Sequence, residues 1–213
     1  MMWWSTCAPR WGAEAGRRAS GLAALRWAIA AMLLLCLSLA NAAAQERQPA
    51  SAELRERLMD AVERSQSFEN RFVAQVWLMD MSQRLAQRIP DDQRRLDLLR
   101  MVHFEAAQAQ LEPELVLAVI EVESNFNRFA ISSAGARGLM QIMPFWLHEI
   151  GRPDDNLFDV QTNLRFGTTI LRHYLDKENG GLTRALARYN GSLGQTWYAE
   201  RVYNAMEQRW YPH

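Results

Sequence analysis

Glu123 is the residue best placed for chemistry. It closes a run, Leu115 to Val122, that contains no helix breaker and opens with Pro113 at a first-turn position where a missing N–H costs nothing. At about 100° per residue, Val116, Val119, Ile120 and Glu123 share one face, whereas Glu121 falls roughly 160° away, on the side expected to meet water. A carboxylate at the end of an apolar stripe is partly desolvated. That disfavours its charged form and moves its pKa toward the range of a general acid near neutral pH. A glutamate that only caps or salt-bridges the helix end fits the same periodicity.

The residues after this helix suit a ligand. Ser132, Ser133, Gly135 and Gly138 form a small-residue turn whose backbone can approach a bound molecule closely, and Leu139, Met140, Ile142 and Met143 form an apolar run interrupted by Gln141. An amide among apolar side chains needs partners. Its donors and acceptor would suit the acetamido and hydroxyl groups of an amino sugar.

Helices must position these groups, because no stretch shows sustained period-two alternation. A weak helical pattern surrounds Leu54, Leu58 and Val62. From Phe68 to Ile89, Phe72, Val76, Met79 and Leu85 recur at helical spacing before Pro90 breaks the chain. Asp91 or Asp92 can cap a helix carrying Leu96, Leu99, Val102 and Phe104. Phe145, Trp146 and Leu147 start a short helix that ends at Gly151. The loop from Arg152 to Phe158 follows; its acids lack the glycine and spaced glutamate of a calcium-binding loop. Asp159 caps a helix with Leu164, Ile170, Leu171 and Leu175 inward, closed by Gly180 and Gly181. Shorter helices are expected over Thr183–Tyr189 and Gln195–Arg209. The fold class is therefore all-α.

Composition narrows the classes. The chain has 213 residues, 49% hydrophobic, with zero formal charge, which permits one domain with a real core and gives no basic field for nucleic acid. Residues 1–44 read as a signal peptide. Arg17, Arg18 and Arg26 precede an apolar run from Trp27 to Leu39, followed by the small residues Ala40 to Ala44. The run is shorter than the ~20 residues a bilayer span needs, so export with cleavage is expected, to the periplasm or beyond. Cleavage would remove Arg10, Arg17, Arg18 and Arg26 against Glu14 alone, leaving a slightly acidic chain. It would also remove Cys7 and Cys36, and with them any disulfide or cysteine metal site. Residues 45–67 read as a linker with a weak helix, and 68–213 as the folded domain. His103, His148, His173 and His213 have no metal-ligand spacing, so neither a metal nor another cofactor is expected. The expected oligomeric state is a monomer.

Three ordered motifs carry a family resemblance. Glu123 with Ser124, then Gly138 to Pro144 (GLMQIMP), then Ala187 to Gly191 (ARYNG) resemble the motifs of the soluble lytic transglycosylase (SLT) family of the lysozyme-like superfamily, over roughly residues 102 to 200. The resemblance implies a lysozyme-like helical domain preceded by packing helices. It also implies cleavage of the β-1,4 bond between N-acetylmuramic acid and N-acetylglucosamine in peptidoglycan, with a 1,6-anhydro product and Glu123 serving as acid and then base. By the same match, Gln141 and Ser132 look like sugar contacts, Met143 like cleft wall, and Tyr189 like the hydroxyl that orients or polarises Glu123. Asn190 supports the substrate site or the turn before Gly191, and Ser124 is a supporting contact rather than a nucleophile. Peptidoglycan strands are the implied partner, with envelope machinery as a further one.

The chain departs from the family pattern at Phe145, Trp146, Arg188 and Ser192, which bears on glycan subsites and accepted peptide stems. Trp146 and Trp197 are candidate stacking platforms, or core residues. Two other readings share the scaffold: a hydrolytic muramidase or chitinase, and a catalytically quiet glycan-binding module.

Overall fold

The computed structural model describes residues 70–211. The expected signal peptide, the linker with its weak helix, both cysteines and His213 lie outside the described residues. Asn70 opens helix α1 (Arg71–Leu85) by accepting a 2.8 Å bond from the Phe72 amide. Ala74, Leu78, Met81 and Leu85 of this helix are buried, whereas Phe72, Val76 and Met79 are exposed. Of the four residues whose spacing predicts this helix, Leu85 faces the core and the other three face outward. Both rows run at helical spacing, so periodicity cannot choose between them, and the core takes the row that contains Leu78, Met81 and Leu85.

Asp91 caps α2 (Asp92–Gln108) through the Arg94 amide at 2.7 Å. Leu96, Leu99 and Val102 are fully buried there, as their spacing requires, while Phe104 is half-buried. The corner between α1 and α2 is locked by the buried guanidinium of Arg95. It donates to Ser82 Oγ at 3.0 Å and to the carbonyls of Ile89 and Pro90 at 2.7 and 3.0 Å, and it pairs with Asp92.

Helix α3 (Pro113–Ser124) is the centre of the domain. Six consecutive residues, Leu115 to Ile120, are buried, because α2, α7 and the C-terminal turn pack around it. It ends abruptly. Asn125 and Phe126 both take left-handed backbone, φ 48° and 66°, which turns the chain immediately after Ser124.

The segment from Ile131 to Ile142 is irregular, with isolated antiparallel bridges joining Arg137 to Ile131 and to Ile142. The short helix α4 (Trp146–Ile150) stops at Gly151. Helix α5 (Val160–Lys177) is capped by Asp159, which accepts from the Thr162 amide at 2.8 Å. It packs on α2 and on α6 (Leu182–Asn190), which in turn meets α7 (Trp197–Ala205). The last expected helix is therefore shorter than its sequence pattern. From Met206 to Trp210 the chain widens into a π-helical turn that buries Trp210. The described residues contain no strand, in keeping with the all-α class, and no described helix is long and apolar enough to cross a membrane.

Candidate active site

Glu123 lies in the last turn of α3, and the helix's own register decides its surroundings. Val119 and Ile120, on the same face, are fully buried, and Glu123 at the end of that row is half-buried. Its Oε1 accepts a 2.6 Å hydrogen bond from the hydroxyl of Tyr198 on α7. Burial pushes the Glu123 pKa above the ordinary carboxylate value, while the Tyr198 bond and the charge of Arg201 pull it part of the way back. The result is a carboxyl group able to hold a proton at a higher pH than a solvated glutamate. That is the requirement for a general acid.

The Tyr189 hydroxyl does not bond Glu123 directly. It donates to the Met140 carbonyl at 2.7 Å, and it is Tyr198 that bonds the glutamate. Tyr189 nevertheless stands within the field of Glu123. Burial and the Glu123 charge both raise the pKa of each phenol well above its usual value, so both stay protonated and act as donors. Sequence reasoning missed Tyr198, although a signal was present. Tyr198, Val202 and Ala205 form one buried row of α7, and a buried phenol needs a partner for its hydroxyl.

The turn after α3 is fastened to α5 by Asn163, another residue the motifs do not announce. This buried side chain accepts from the Met140 amide at 2.8 Å and donates to the carbonyls of Arg137 and Leu157 at 2.9 and 2.8 Å. Two glycines make the close approach possible. A Cβ on Gly138 would lie 2.3 Å from Asn163 Nδ2, and one on Gly167 would lie 2.2 Å from Met140 Sδ. Asn163 and Gly167 sit four residues apart on one face of α5.

Gln141 takes positive φ, 50°, and its side-chain amide donates to the carbonyls of Ala130 and Gly138 at 3.1 and 2.9 Å. The amide predicted to need partners finds them in the backbone, which fixes its plane. Ser132 Oγ accepts from the Ala136 amide at 3.0 Å and braces the small-residue turn. Ser124 Oγ donates to the Ile120 carbonyl at 3.1 Å, a bond back along the helix. Met143 is half-buried in the segment after Gln141, and Asn190 ends α6 beside Gly191 at φ 80°. Glu123, Tyr189 and Tyr198 thus form one electrostatically coupled group, and Tyr189 joins it to Met140, next to Gln141. Ser132 and Ser124 instead serve the backbone around it.

The far side of α3 also departs from expectation. Glu121 does not face water. Arg88 donates to it at 2.6 Å, Arg209 pairs with it at 2.6 Å, and the Trp210 indole donates to it at 2.8 Å. These partners stand 33, 88 and 89 positions away in sequence, beyond the reach of helical periodicity. Trp146 is half-buried against Tyr174, with ring centroids 6.5 Å apart, whereas Trp197 is 43% exposed and lies edge-on to Tyr198 at 5.9 Å. Of the two candidate platforms, the exposed one is attached to the glutamate's partner. Among the described residues, no group of three or more histidine, cysteine, aspartate or glutamate side chains is placed to hold a metal ion.

Comparison with known proteins gives a consistent assignment. Residues 100–211 match the transglycosylase SLT domain. A transglycosylase of Enterobacteria phage PRD1 is 38% identical over 96 residues, covering 45% of this chain and 35% of the phage protein. Membrane-bound lytic murein transglycosylase C of Yersinia pestis (strain Pestoides F) is 34% identical over 119 residues, covering 48% of this chain and 33% of the relative. The protein of that name from Yersinia pseudotuberculosis serotype O:1b matches to the same extent. The chain spans about a third of the length of these relatives.

Proposed function

Because the chain belongs to the transglycosylase SLT domain family of the lysozyme-like superfamily, we propose that it is an exported lytic transglycosylase acting on the glycan strands of peptidoglycan. The observation that carries the proposal is the half-buried Glu123 carboxyl, raised in pKa by desolvation and held by the Tyr198 hydroxyl at 2.6 Å. One carboxyl group suffices for the chemistry. Protonated Glu123 gives its proton to the glycosidic oxygen as the C1–O bond breaks, and the electron pair leaves with that oxygen. The substrate's own 2-acetamido oxygen stabilises the electron-poor C1. The Glu123 carboxylate then removes the C6 hydroxyl proton while that oxygen bonds to C1. This closes the 1,6-anhydro ring and returns Glu123 to its protonated form. The intermediate pKa, set by burial against the Tyr198 donor, suits a group that must act in both directions.

Digestion of purified peptidoglycan followed by mass spectrometry tests the reading. The expected product is a 1,6-anhydro-muropeptide from the wild type and none from Glu123→Gln. Reducing-end products would establish a hydrolase instead. Equal failure of both proteins to release product while still binding the polymer would leave a glycan-binding module.

A further inference from the structure

The turn that follows Glu123 also walls a cavity of about 450 Å3 that Glu123, Gln141, Tyr189 and Tyr198 do not line. Its floor is apolar, with Leu98, Phe126 and Leu139 buried beneath it. Its rim is charged. The guanidinium of Arg94 makes no hydrogen bond or ion pair among the described residues, unlike Arg88, which is committed to Asn125 and Glu121. Arg128 donates from one terminal nitrogen to the Phe158 carbonyl at 3.2 Å, and its guanidinium stacks 4.7 Å above the Phe129 ring, yet its Nε is buried without a partner. Asp91 and Asp97 complete the rim, so acids face any amine that enters beside a carboxylate.

These features select a ligand class. Arg94 is exposed, so a neutral sugar would make no use of its charge, and an alkyl chain would displace the water around it at a cost. A short peptide bearing free carboxylates, an amine and aliphatic carbon answers each part. We propose that this cavity is a second binding site, for the peptide stem that peptidoglycan carries on its glycan. The identity of the peptide rests on the transglycosylase reading above; the charge and shape of the cavity do not.

The test separates the two. A free stem tetrapeptide containing a diamino acid and no sugar is titrated calorimetrically into the full chain. Binding is expected, weakening as salt rises, and weaker by about tenfold in Arg94→Glu. Phe129→Ala is a second variant, safe for the fold because the ring is 61% exposed, and it should also weaken the peptide. In turnover assays Arg94→Glu should raise KM on peptide-bearing polymer and leave kcat unchanged, while glycan stripped of its peptides is processed as by the wild type. No binding of the free peptide to the wild type would overturn the proposal. So would wild-type affinity in both variants, or an equal loss on stripped glycan. A wild-type chain that binds the peptide but forms no anhydro product from either polymer would refute the transglycosylase reading and leave the peptide site standing.

Discussion

Replacing Tyr198 with phenylalanine removes one hydroxyl and keeps the buried ring. In the wild type that hydroxyl donates to Glu123 Oε1 at 2.6 Å, a bond that favours the ionised carboxylate and holds its pKa below the value that burial alone would set. A hydrogen bond to a charged group contributes roughly 1.5–3 kcal/mol. Losing a bond of that strength removes the main hydrogen-bond influence that lowers the pKa, so Tyr198→Phe should raise the Glu123 pKa further above the ordinary carboxylate value. If Glu123 acts first as an acid, kcat/KM falls as pH rises through that pKa, so the alkaline limb of the profile should move up by the same amount. Carboxyl-carbon NMR of Glu123 reads the shift independently of activity. Tyr189→Phe is the control, because its hydroxyl is bonded to the Met140 carbonyl and its removal should move the Glu123 midpoint much less. An unmoved or lowered midpoint in Tyr198→Phe, or a larger shift in Tyr189→Phe, would refute the assignment of Tyr198 as the direct partner.

Other perturbations probe the scaffold. Gly138→Ala adds a methyl that meets Asn163 at 2.3 Å and strains a backbone at φ 79°, so a loss of about 2–4 kcal/mol is expected in urea unfolding, and wild-type stability would count against the tight approach. Asn163→Leu leaves one amide and two carbonyls without their buried partner and should cost about 3 kcal/mol or more, with faster amide exchange at Met140. Glu121→Ala strips a common partner from Arg88, Arg209 and Trp210; both arginines are partly solvated, so about 2 kcal/mol is expected, and a change below half that would show the cluster to be idle. His103 has its pKa lowered from 6.5 to about 4 by burial, so it binds fewer protons folded than unfolded. Its contribution to stability is complete above pH 6.5 and is lost as pH falls toward 4; His103→Gln should flatten that slope in thermal melts, and an identical slope would sink the argument.

What the sequence revealed and what it concealed have a common physical basis. Helical register alone puts Glu123 on the face of Val119 and Ile120, and a cap such as Asp159 is a local feature that a few residues specify. Register could not fix the face of α1, where two apolar rows compete, nor foresee that Glu121 would be enclosed. That enclosure depends on Arg209 and Trp210, which reach it only after the chain has folded back through α5, α6 and α7. Tyr198 was hidden for the same reason, since it lies 75 positions from the carboxylate it serves. Gln141 shows the converse limit. A polar residue in an apolar run does require partners, but the requirement is blind to their source, and a backbone at φ 50° supplied them at Ala130 and Gly138.

The two glutamates of α3 also explain why the matched domain must extend beyond its third motif. Spaced two residues apart on a helix, Glu121 and Glu123 point to opposite sides, and the chain after Gly194 holds both. Tyr198 at the start of α7 engages Glu123, while Arg209 and Trp210 in the π-helical turn engage Glu121. A chain ending near residue 200 would contain every motif residue, the Tyr198 hydroxyl and the Arg88 contact to Glu121, yet lack the Arg209 and Trp210 side of the clamp behind the last turn of α3. The donor would then face a helix end held less firmly, and a 2.6 Å bond is sensitive to small displacements. On this argument the π-helical widening from Met206 to Trp210 is part of the site's construction. It turns the Trp210 indole inward to Glu121 and lets α7 present Tyr198 to the other side of the same helix.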